Sequence, residues 1–404
     1  MIDVIIVGAG PAGATAALYA QKLNLNCILL DKAVFPRDKI CGDALSGKSV
    51  RIMRELGLLD DVEKLEGSEI NRITFGSPNN KQFDIHLKGT KNKNHITKGF
   101  VIPRKIFDNY MFDKAASVTE TRQGFTVQDL ILENDHVVGI VGKNKNGNVE
   151  EFRAPIVMGC DGSNSIIARK LGLYEMDMEN TSVAVRCYYE GVKDLTDQIE
   201  IHYVKEVNPG YFWLFPAGEG RANIGIGLSK SDMKKEKRTL RQIMDEVTQS
   251  DYFKERFADA KQLERPVGWN LPLGSSHRKN YGNGFMLLGD AAGLVDPFTG
   301  EGIGNAMVSG QYAMEVAAKS KLSGDYSKHA FAEYDELLWG EVGKELRTST
   351  KLQSLARSKF LLNFVINRAA RNEEVQNIIS GMLSNEIPKD ELNGPLFYLK
   401  ILFS

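Results

Sequence analysis

Residues 3–31, DVIIVGAGPAGATAALYAQKLNLNCILLD, decide the fold of the N-terminal region. A β-branched apolar run is followed by an alanine-rich segment and then by a second apolar run that ends at Asp31. This succession predicts a buried strand, a helix and a second strand parallel to the first. The turn between the first strand and the helix, residues 8–13, has the spacing GxGxxG.

The GxGxxG turn predicts a dinucleotide-binding site. Gly8 would allow the tight turn, Gly10 would let the backbone approach a pyrophosphate, and Gly13 would let the helix pack closely on the strand. The phosphates would lie at the helix N-terminus, where backbone amides and the helix dipole favour an anion. Asp31 ends the second strand, where a carboxylate accepts hydrogen bonds from ribose hydroxyls and repels a 2′-phosphate.

The composition of the chain argues against several other functions. The 404 residues include 51 Lys and Arg against 52 Asp and Glu, so no overall field favours nucleic acid or an anionic membrane. The four cysteines are widely spaced without a CxxC pair, which argues against a disulfide framework and fits a reducing compartment. The histidines show no metal-ligand spacing, and we predict no metal site.

The chain is predicted to be cytoplasmic. Its first residues lack the cationic segment and long apolar core of a signal peptide, and no stretch approaches the roughly 20 uninterrupted apolar residues of a spanning helix. Peripheral contact with the inner membrane face is a further expectation. A lysine cluster (Lys88, Lys91, Lys93 and Lys98) either meets a phosphorylated headgroup or forms a solvated loop. Residues 351–371 either lie on a membrane surface or pack as a C-terminal helix over the pocket.

Two later turns also contain glycine and follow an apolar strand. CDG at 160–162 follows one apolar strand, and LGDAAG at 288–293 follows another. In the second turn Asp290 is placed to accept a hydrogen bond from a sugar-like hydroxyl. Three glycines in PFTGEGIGNAM, residues 297–307, then open a helix whose first amides could meet a polarised carbonyl.

Together the three turns resemble the signature of FAD-dependent enzymes of the p-hydroxybenzoate hydroxylase superfamily, in order and spacing over about the first 310 residues. The resemblance implies that the first turn binds the ADP half of FAD, that the DG turn supports the cofactor, and that Asp290 contacts the ribitol. It also places Arg104 near the pyrophosphate. The FAD-binding residues it implies are Gly8, Gly10, Pro11, Ala12, Gly13, Asp31, Lys32, Lys39, Cys41, Gly42, Arg104, Val127, Asp161, Gly289, Asp290, Gly300, Gly302, Ile303 and Gly304.

Two further stretches are similar to the geranylgeranyl reductase family, flavoproteins that saturate isoprenoid double bonds. They are FPRDKICGD at 35–43 and NPGYFWLFP at 208–216. Strand periodicity places the three aromatic residues of YxWxFP on one face, where they either wall a long apolar channel or form a core sheet face. The resemblance implies that this segment lines a prenyl pocket beside the flavin. The pocket residues it implies are Tyr211, Trp213, Phe215, Pro216 and Pro297.

The chemistry implied by this resemblance is hydride delivery from reduced flavin N5 to one alkene carbon and proton delivery to the other. The candidate proton donors are Cys41, Tyr211 and bound water. Cys41 either fills space against the ring, donates a proton or acts as a redox thiol, and we favour the first role. Arg37 and Lys39 are candidate cations for the phosphates or the flavin.

The alternative functions use the same flavin site. A monooxygenase of an aromatic or polyketide-like substrate is the first, and a flavin-dependent halogenase, whose WxWxIP segment is related to YxWxFP, is another. A non-catalytic electron-transfer flavoprotein or redox sensor is a third. The electron donor stays open between NAD(P)H and a reduced ferredoxin or flavodoxin, because DGSNSIIAR has Ala168 where the longer DGxxSxxR form has arginine, with Arg169 next. The expected partners are a hydrophobic lipid-like substrate and a redox donor, without nucleic acid.

The fold class that follows is α/β, α+β overall, with a Rossmann-like FAD-binding domain, an inserted antiparallel substrate domain and a helical C-terminal region. The FAD-binding domain is predicted at 1–70, 99–175 and 266–330, the substrate domain at 71–98 and 176–265, and the helical region at 331–404. Within the substrate domain, apolar spacing predicts an amphipathic helix over 234–247.

Overall fold

The computed structural model describes residues 1–45, 47–87, 98–174, 177–373 and 375–376. Among the helices of these ranges, none is both long enough and apolar enough to cross a membrane. The helices, in chain order, are α1 (Pro11–Lys22), α2 (Gly47–Glu55), α3 (Leu59–Val62), α4 (Arg104–Ala116), α5 (Ile166–Lys170), α6 (Lys230–Met233), α7 (Leu240–Thr248), α8 (Lys254–Phe257), α9 (Ile303–Ser323), α10 (Ala332–Ala356) and α11 (Lys359–Ala369).

The first sheet holds the predicted strand–helix–strand unit. Its central strands are parallel to one another and buried, as expected for a sheet with helices on its faces. The strands lie in the spatial order β19 (Tyr281–Gly282), β20 (Phe285–Leu287), β12 (Ile156–Gly159), β1 (Val4–Val7), β2 (Cys27–Asp31) and β8 (Glu120–Gln123), with only β19 antiparallel to its neighbour among these pairs. The Rossmann-like arrangement predicted from residues 3–31 is confirmed.

Helix α9 lies against α1 at very short range. A Cβ atom added to Gly310 would lie 2.6 Å from the Ala12 carbonyl oxygen, so glycine is needed for this approach. The start of α9 and the start of α1 are thereby held together on one side of the first sheet.

The described residues also form two small antiparallel sheets. One contains β9 (Thr126–Glu133), β10 (His136–Lys143) and β11 (Val149–Arg153), with β10 in the middle. The other contains β3 (Ala44–Leu45), β4 (Ser68–Ile70) and β7 (Gly99–Val101), with β7 in the middle.

The largest sheet has eight strands in the described ranges and corresponds to the predicted inserted domain. It is mixed, because β5 (Arg72–Gly76) and β14 (Gln198–His202) pair in parallel. Its last strand, β18 (Val267–Pro272), pairs with β13 (Thr181–Glu190), so this sheet continues past residue 265. The spatial order is β17 (Lys261–Gln262), β13 (Thr181–Glu190), β16 (Arg221–Ser229), β15 (Tyr211–Pro216), β14 (Gln198–His202), β5 (Arg72–Gly76) and β6 (Gln82–His86), with β18 (Val267–Pro272) also on β13.

The described C-terminal region packs on both layers. Tyr334 of α10 is fully buried and donates a hydrogen bond to the Leu287 carbonyl at the end of β20 (2.8 Å). Ile366 and Ala369 of α11 join the apolar cluster around the large sheet. Of the stretch 351–371, the buried residues thus support packing, while Phe360 is exposed.

Candidate active site

One cavity of about 1310 Å³ extends from the GxGxxG turn to the large sheet. Typical single-ligand sites occupy about 300–1,000 Å³, so this cavity has room for more than one ligand. Most of the predicted site residues line it, and Gly13, Gly304, Pro216 and Pro297 do not. The predicted residues along its wall are Gly8, Gly10, Pro11, Ala12, Asp31, Lys32, Lys39, Cys41, Gly42, Arg104, Val127, Asp161, Tyr211, Trp213, Phe215, Gly289, Asp290, Gly300, Gly302 and Ile303.

The glycine turn has the geometry that a pyrophosphate requires. Gly8 has φ +103°, and a Cβ there would lie 2.3 Å from the Cys160 carbonyl oxygen. A Cβ on Gly13 would lie 1.8 Å from the Gly8 carbonyl oxygen, so Gly13 serves close packing rather than the cavity wall. Gly10 precedes α1 as its N-cap and provides no side-chain cap, and the first turn of the helix has no acidic residue. Its first amides are therefore suited to an anion.

Asp31 braces this turn from the end of β2. Its Oδ2 accepts a hydrogen bond from the Ala9 amide and its Oδ1 accepts one from the Ala33 amide, both at 2.7 Å. Each oxygen keeps a lone pair, and the side chain lines the cavity. The carboxylate can thus accept from ribose hydroxyls while holding the turn.

Two arginines share one buried carboxylate beside the turn. Arg104 is buried and binds Asp108 through two hydrogen bonds of 2.6 and 2.8 Å, and Arg37 Nη1 lies 2.5 Å from the same carboxylate. Burial raises the pKa of Asp108, but the two guanidinium groups outweigh burial and lower it. Arg37 keeps 20% of its side chain exposed, and its Nη2 would lie 3.5 Å from a Cβ on Gly10. Arg37 is therefore the better-placed cation for a phosphate.

The two other glycine-containing turns lie at the same cavity. The Asp161 carboxylate accepts a hydrogen bond from the Ile166 amide at the start of α5 (2.6 Å), and burial raises the pKa of Asp161. Lys39 Nζ lies 3.2 Å from Asp290 Oδ2. At the start of α9, the Gly304 amide already donates to Glu301 Oε1 (2.6 Å). Gly302 and Ile303 thus face the cavity and Gly304 does not.

The other end of the cavity is apolar. Trp213 is held by a hydrogen bond from its Nε1 to Asn223 Oδ1 (2.9 Å), and Gly225 leaves room for the ring, since a Cβ there would lie 2.1 Å from the indole. Buried and half-buried rings and aliphatic side chains from several strands complete the wall. They are Ile70, Ile73, Phe75, Phe100, Ile199, Ile201, Trp269 and Leu271.

Tyr211 lies where the two ends of the cavity meet. Its hydroxyl donates to the Thr299 carbonyl (2.8 Å), and burial raises its pKa well above the usual range. The ring centre lies 6.1 Å from that of Trp213. The hydroxyl proton is engaged by a backbone acceptor, so Tyr211 is better arranged to position the 297–302 loop than to release a proton.

The loop at 35–43 lies between the nucleotide-binding end and the apolar end of the cavity. A Cβ on Gly42 would lie 3.1 Å from the Phe215 ring, and the Cys41 carbonyl accepts a hydrogen bond from Asn223 Nδ2 (2.8 Å). The Cys41 side chain lies beside Arg104. FPRDKICGD and YxWxFP, which are far apart in the chain, therefore pack directly on one another.

Sequence reasoning missed several charged residues of the wall, Asp43 above all. Asp43 is fully buried, and its Oδ2 accepts hydrogen bonds from the Tyr188 hydroxyl and from Asn223 Nδ2 (2.7 Å). Burial raises the pKa of Asp43 to about 6. Its position in CGD was the available signal, but its partners come from β13 and β16. The other charged wall residues that were missed include Arg186, Lys48 and Arg51.

The lysine cluster, the cysteines and the possible metal ligands can be compared with the structure as well. Lys98 lies 3.0 Å from both Glu63 and Glu69, while Lys88, Lys91 and Lys93 lie outside the described residues. All four cysteines are free. The described part of the chain holds no cluster of three His, Cys, Asp or Glu suited to a metal ion.

The fold and the site define a flavoprotein oxidoreductase that binds FAD. Residues 1–336 match the family described as FAD binding domain. The digeranylgeranylglycerophospholipid reductase 2 of Methanopyrus kandleri is 29% identical over 96% of this chain and 94% of that protein. The protein of the same name from Methanococcoides burtonii is 32% identical over 86% and 82%. The chain belongs to the geranylgeranyl reductase family of FAD-dependent oxidoreductases, as FPRDKICGD and YxWxFP predicted.

Solved structures agree with this placement. A geranylgeranyl bacteriochlorophyll reductase-like protein from Thermoplasma acidophilum has a TM-score of 0.83 at 25% identity, over 97% of this chain and 98% of that one. A flavin-dependent brominase has a TM-score of 0.78 at 22% identity, over 95% and 93%. At that identity the brominase shares the fold, and the likeness says nothing further about this chain's reaction.

Proposed function

We propose that this protein reduces carbon–carbon double bonds of an isoprenoid lipid with the help of bound FAD. The observation that carries the proposal is the continuity of a nucleotide-binding turn and an apolar chamber in a single cavity. The names of the relatives, digeranylgeranylglycerophospholipid reductases, support a lipid with several prenyl double bonds. A long apolar chain fits a chamber walled by Trp213, Phe215 and Trp269.

The residues that would hold FAD fit its chemistry. The uncapped start of α1 suits the pyrophosphate, Arg37 supplies a cation, Asp31 accepts from the ribose, and Asp290 stands near Lys39 for the ribitol. When bound and reduced, FAD supplies hydride. An isolated alkene accepts hydride poorly, so orientation and the exclusion of water by the buried aromatic wall are the chain's main contribution.

The apolar wall leads to a prediction for Trp213. Replacing Trp213 by alanine should raise the KM for a prenyl substrate about tenfold or more, because a large apolar surface is lost, while FAD binding stays unchanged. Trp339→Ala is the matched control, since Trp339 packs on His277 (4.4 Å between ring centres) and does not line the cavity. An unchanged KM in Trp213→Ala would place the substrate wall elsewhere.

The reaction itself is tested by mixing photoreduced holoenzyme with geranylgeraniol in detergent without oxygen. Reoxidation of the flavin coupled to a mass gain of two hydrogens per double bond is the expected result. In air, rapid peroxide-forming oxidation after addition of NADPH and an aromatic compound, without alkene reduction, would instead indicate a monooxygenase. Absence of any alkene-dependent reoxidation would overturn the proposed function.

We infer two further properties of the same enzyme. The electron donor is either NAD(P)H or a reduced ferredoxin or flavodoxin, and anaerobic mixing with each donor distinguishes them by the loss of flavin absorbance. Peripheral membrane contact is supported by α11, where Phe360 is 76% exposed next to Lys359. Flotation with vesicles of anionic phospholipid tests it, with Phe360→Ser as the variant that should release the protein.

A further inference from the structure

The strongest unexplained feature of the cavity is the polar cluster around Asp43. The side chain is fully buried in the wall, between the loop at 35–43 and strands β13 and β16. Its Oδ2 accepts two hydrogen bonds, from Tyr188 and Asn223, whereas its Oδ1 is buried without a hydrogen-bond partner among the described residues. A buried oxygen without a hydrogen-bond partner destabilises the folded state, so its position calls for an explanation.

The charged and titratable groups around Asp43 come from every element packed on it. Arg186 of β13 lies against the Tyr188 ring (4.3 Å) and binds Asp38 (2.6 Å) and Glu264. The charge of Arg104 in α4 also acts on Asp43, and Cys41 of the same loop interacts with Arg104. Burial dominates over the hydrogen bonds from Tyr188 and Asn223 and over the two arginines, so the pKa of Asp43 is raised to about 6.

Asp43 is also next to the wall where a substrate would lie. Asn223 links the carboxylate to Trp213, since it donates to Asp43 Oδ2 and accepts from the indole Nε1 (2.9 Å). A Cβ added to Gly42, the chain neighbour of Asp43, would lie 3.1 Å from the Phe215 ring. The same amide therefore fixes both the carboxyl group and the central ring of the prenyl wall.

We propose that Asp43, in its protonated form, is the acid that supplies the proton in alkene reduction, a role that rests on the proposed function. The proton is held on Oδ1. Its O–H bond breaks as a C–H bond forms at the alkene carbon that does not take the hydride from reduced flavin. The carboxylate that remains is stabilised by the Tyr188 hydroxyl, the Asn223 amide and the nearby Arg186, and it regains a proton from water.

The test variant is Asp43→Asn, which suits the site. Asp43 has φ +66°, a conformation that asparagine also tolerates, and an amide oxygen can accept both existing hydrogen bonds. A carboxyl with a raised pKa costs stability above its ordinary pKa, so the variant should be at least as stable as the wild type at neutral pH. Asp194→Asn is the matched control, because Asp194 also has a left-handed φ (+59°) and is exposed.

In photoreduced holoenzyme, the rate of geranylgeraniol-dependent flavin reoxidation should fall in the wild type as the pH rises through about 6. Asp43→Asn should lower that rate about 100-fold and remove the pH dependence, with FAD content unchanged. Tyr188→Phe removes one hydrogen bond that lowers the Asp43 pKa, so its profile should shift to higher pH. Asp194→Asn should behave as wild type.

A readout independent of turnover is the infrared band of a protonated carboxylic acid in the cofactor-free protein. The wild-type minus Asp43→Asn difference spectrum separates Asp43 from the other carboxyl groups, Asp161 among them, and should show this band at about pH 5 and not at about pH 8. Wild-type rate and pH profile in Asp43→Asn would overturn this inference and leave the proposed function standing. A wild type without alkene-dependent reoxidation would overturn both.

Discussion

At the scale of single residues, Asp31 both stabilises the glycine turn and lines the cavity. It holds the Ala9 amide of the glycine turn and offers its remaining lone pairs to the cavity. Asp31→Ala should therefore weaken FAD binding about tenfold or more, because a ribose acceptor and a brace of the turn are lost together. Flavin content after gel filtration measures this, with the exposed Asp129→Ala as the control. Full flavin retention in Asp31→Ala would remove its binding role.

Cys41 is the other residue whose role can be separated by one substitution. Its thiol lies beside Arg104 and its carbonyl is fixed by Asn223. Cys41→Ser keeps a small polar side chain, so we expect full FAD content and turnover within about twofold of wild type if the residue only fills space. A loss of turnover with full FAD, measured in the photoreduced assay, would assign it a chemical role.

Residue-level prediction succeeded where local backbone geometry decides the outcome. Gly8 and Gly13 are where GxGxxG demands them, because a Cβ at either would overlap a carbonyl oxygen. Asp43 could not be assigned this way, since its environment comes from strands about 145 and 180 positions away. No local sequence pattern predicts that Asp43 is buried or which residues donate hydrogen bonds to it.

At the scale of elements, the contact between α1 and α9 brings the two helix starts to one cavity. Gly310→Ala should destabilise the protein by about 1–3 kcal/mol and weaken FAD binding, because the added methyl meets the Ala12 carbonyl at 2.6 Å. Gly340 lies in α10 with no atom within 4 Å of an added Cβ, and Gly340→Ala should stabilise by about 0.5–1 kcal/mol. Urea unfolding measures both. A Gly310→Ala protein as stable as Gly340→Ala would refute the packing argument.

Element boundaries were less predictable than element existence. The helix predicted over 234–247 is confirmed only in its second half, as α7 (Leu240–Thr248). The reason is a capping box in which Thr239 and Gln242 bond reciprocally, which starts the helix there. The apolar periodicity alone does not predict the residue at which the helix begins.

At the scale of the whole molecule, a buried ion cluster supports the large sheet. Glu200 of β14 binds Arg256 (2.7 and 2.8 Å) and His202 (2.9 Å). Burial raises the pKa of Glu200, but these hydrogen bonds outweigh it and hold the pKa at about 2. A depressed carboxyl pKa stabilises the folded state above the ordinary value of 4.5, and that stability is lost as the pH falls toward 2.

Glu200→Gln should accordingly lower the free energy of unfolding at pH 7 by about 3 kcal/mol, because it removes this contribution and leaves Arg256 without a charged partner. The difference from wild type should shrink below about pH 4.5. Urea midpoints across pH measure it, with the exposed Glu133→Gln, whose partner is Arg153, as the control. A pH-independent difference would contradict the linkage.

The global arrangement was only partly predictable. The nucleotide-binding layer and an inserted sheet followed from motif order, but the parallel pairing of β5 with β14, between residues 72–76 and 198–202, did not. Such a pairing depends on a long connection whose sequence contains no register signal. For the same reason the length of the large sheet, which continues to Pro272, was visible only in three dimensions.

The order of strands in the first sheet has a consequence for biosynthesis. β12 lies between β1 and β20, and the helix that completes the cavity ends at Ser323. The edge of β12 stays open until β20 (Phe285–Leu287) has been made, and a ribosome adding about 5–20 residues per second needs many seconds to reach that point. The wall of the flavin cavity is therefore complete only after α9, which ends at Ser323, has been made.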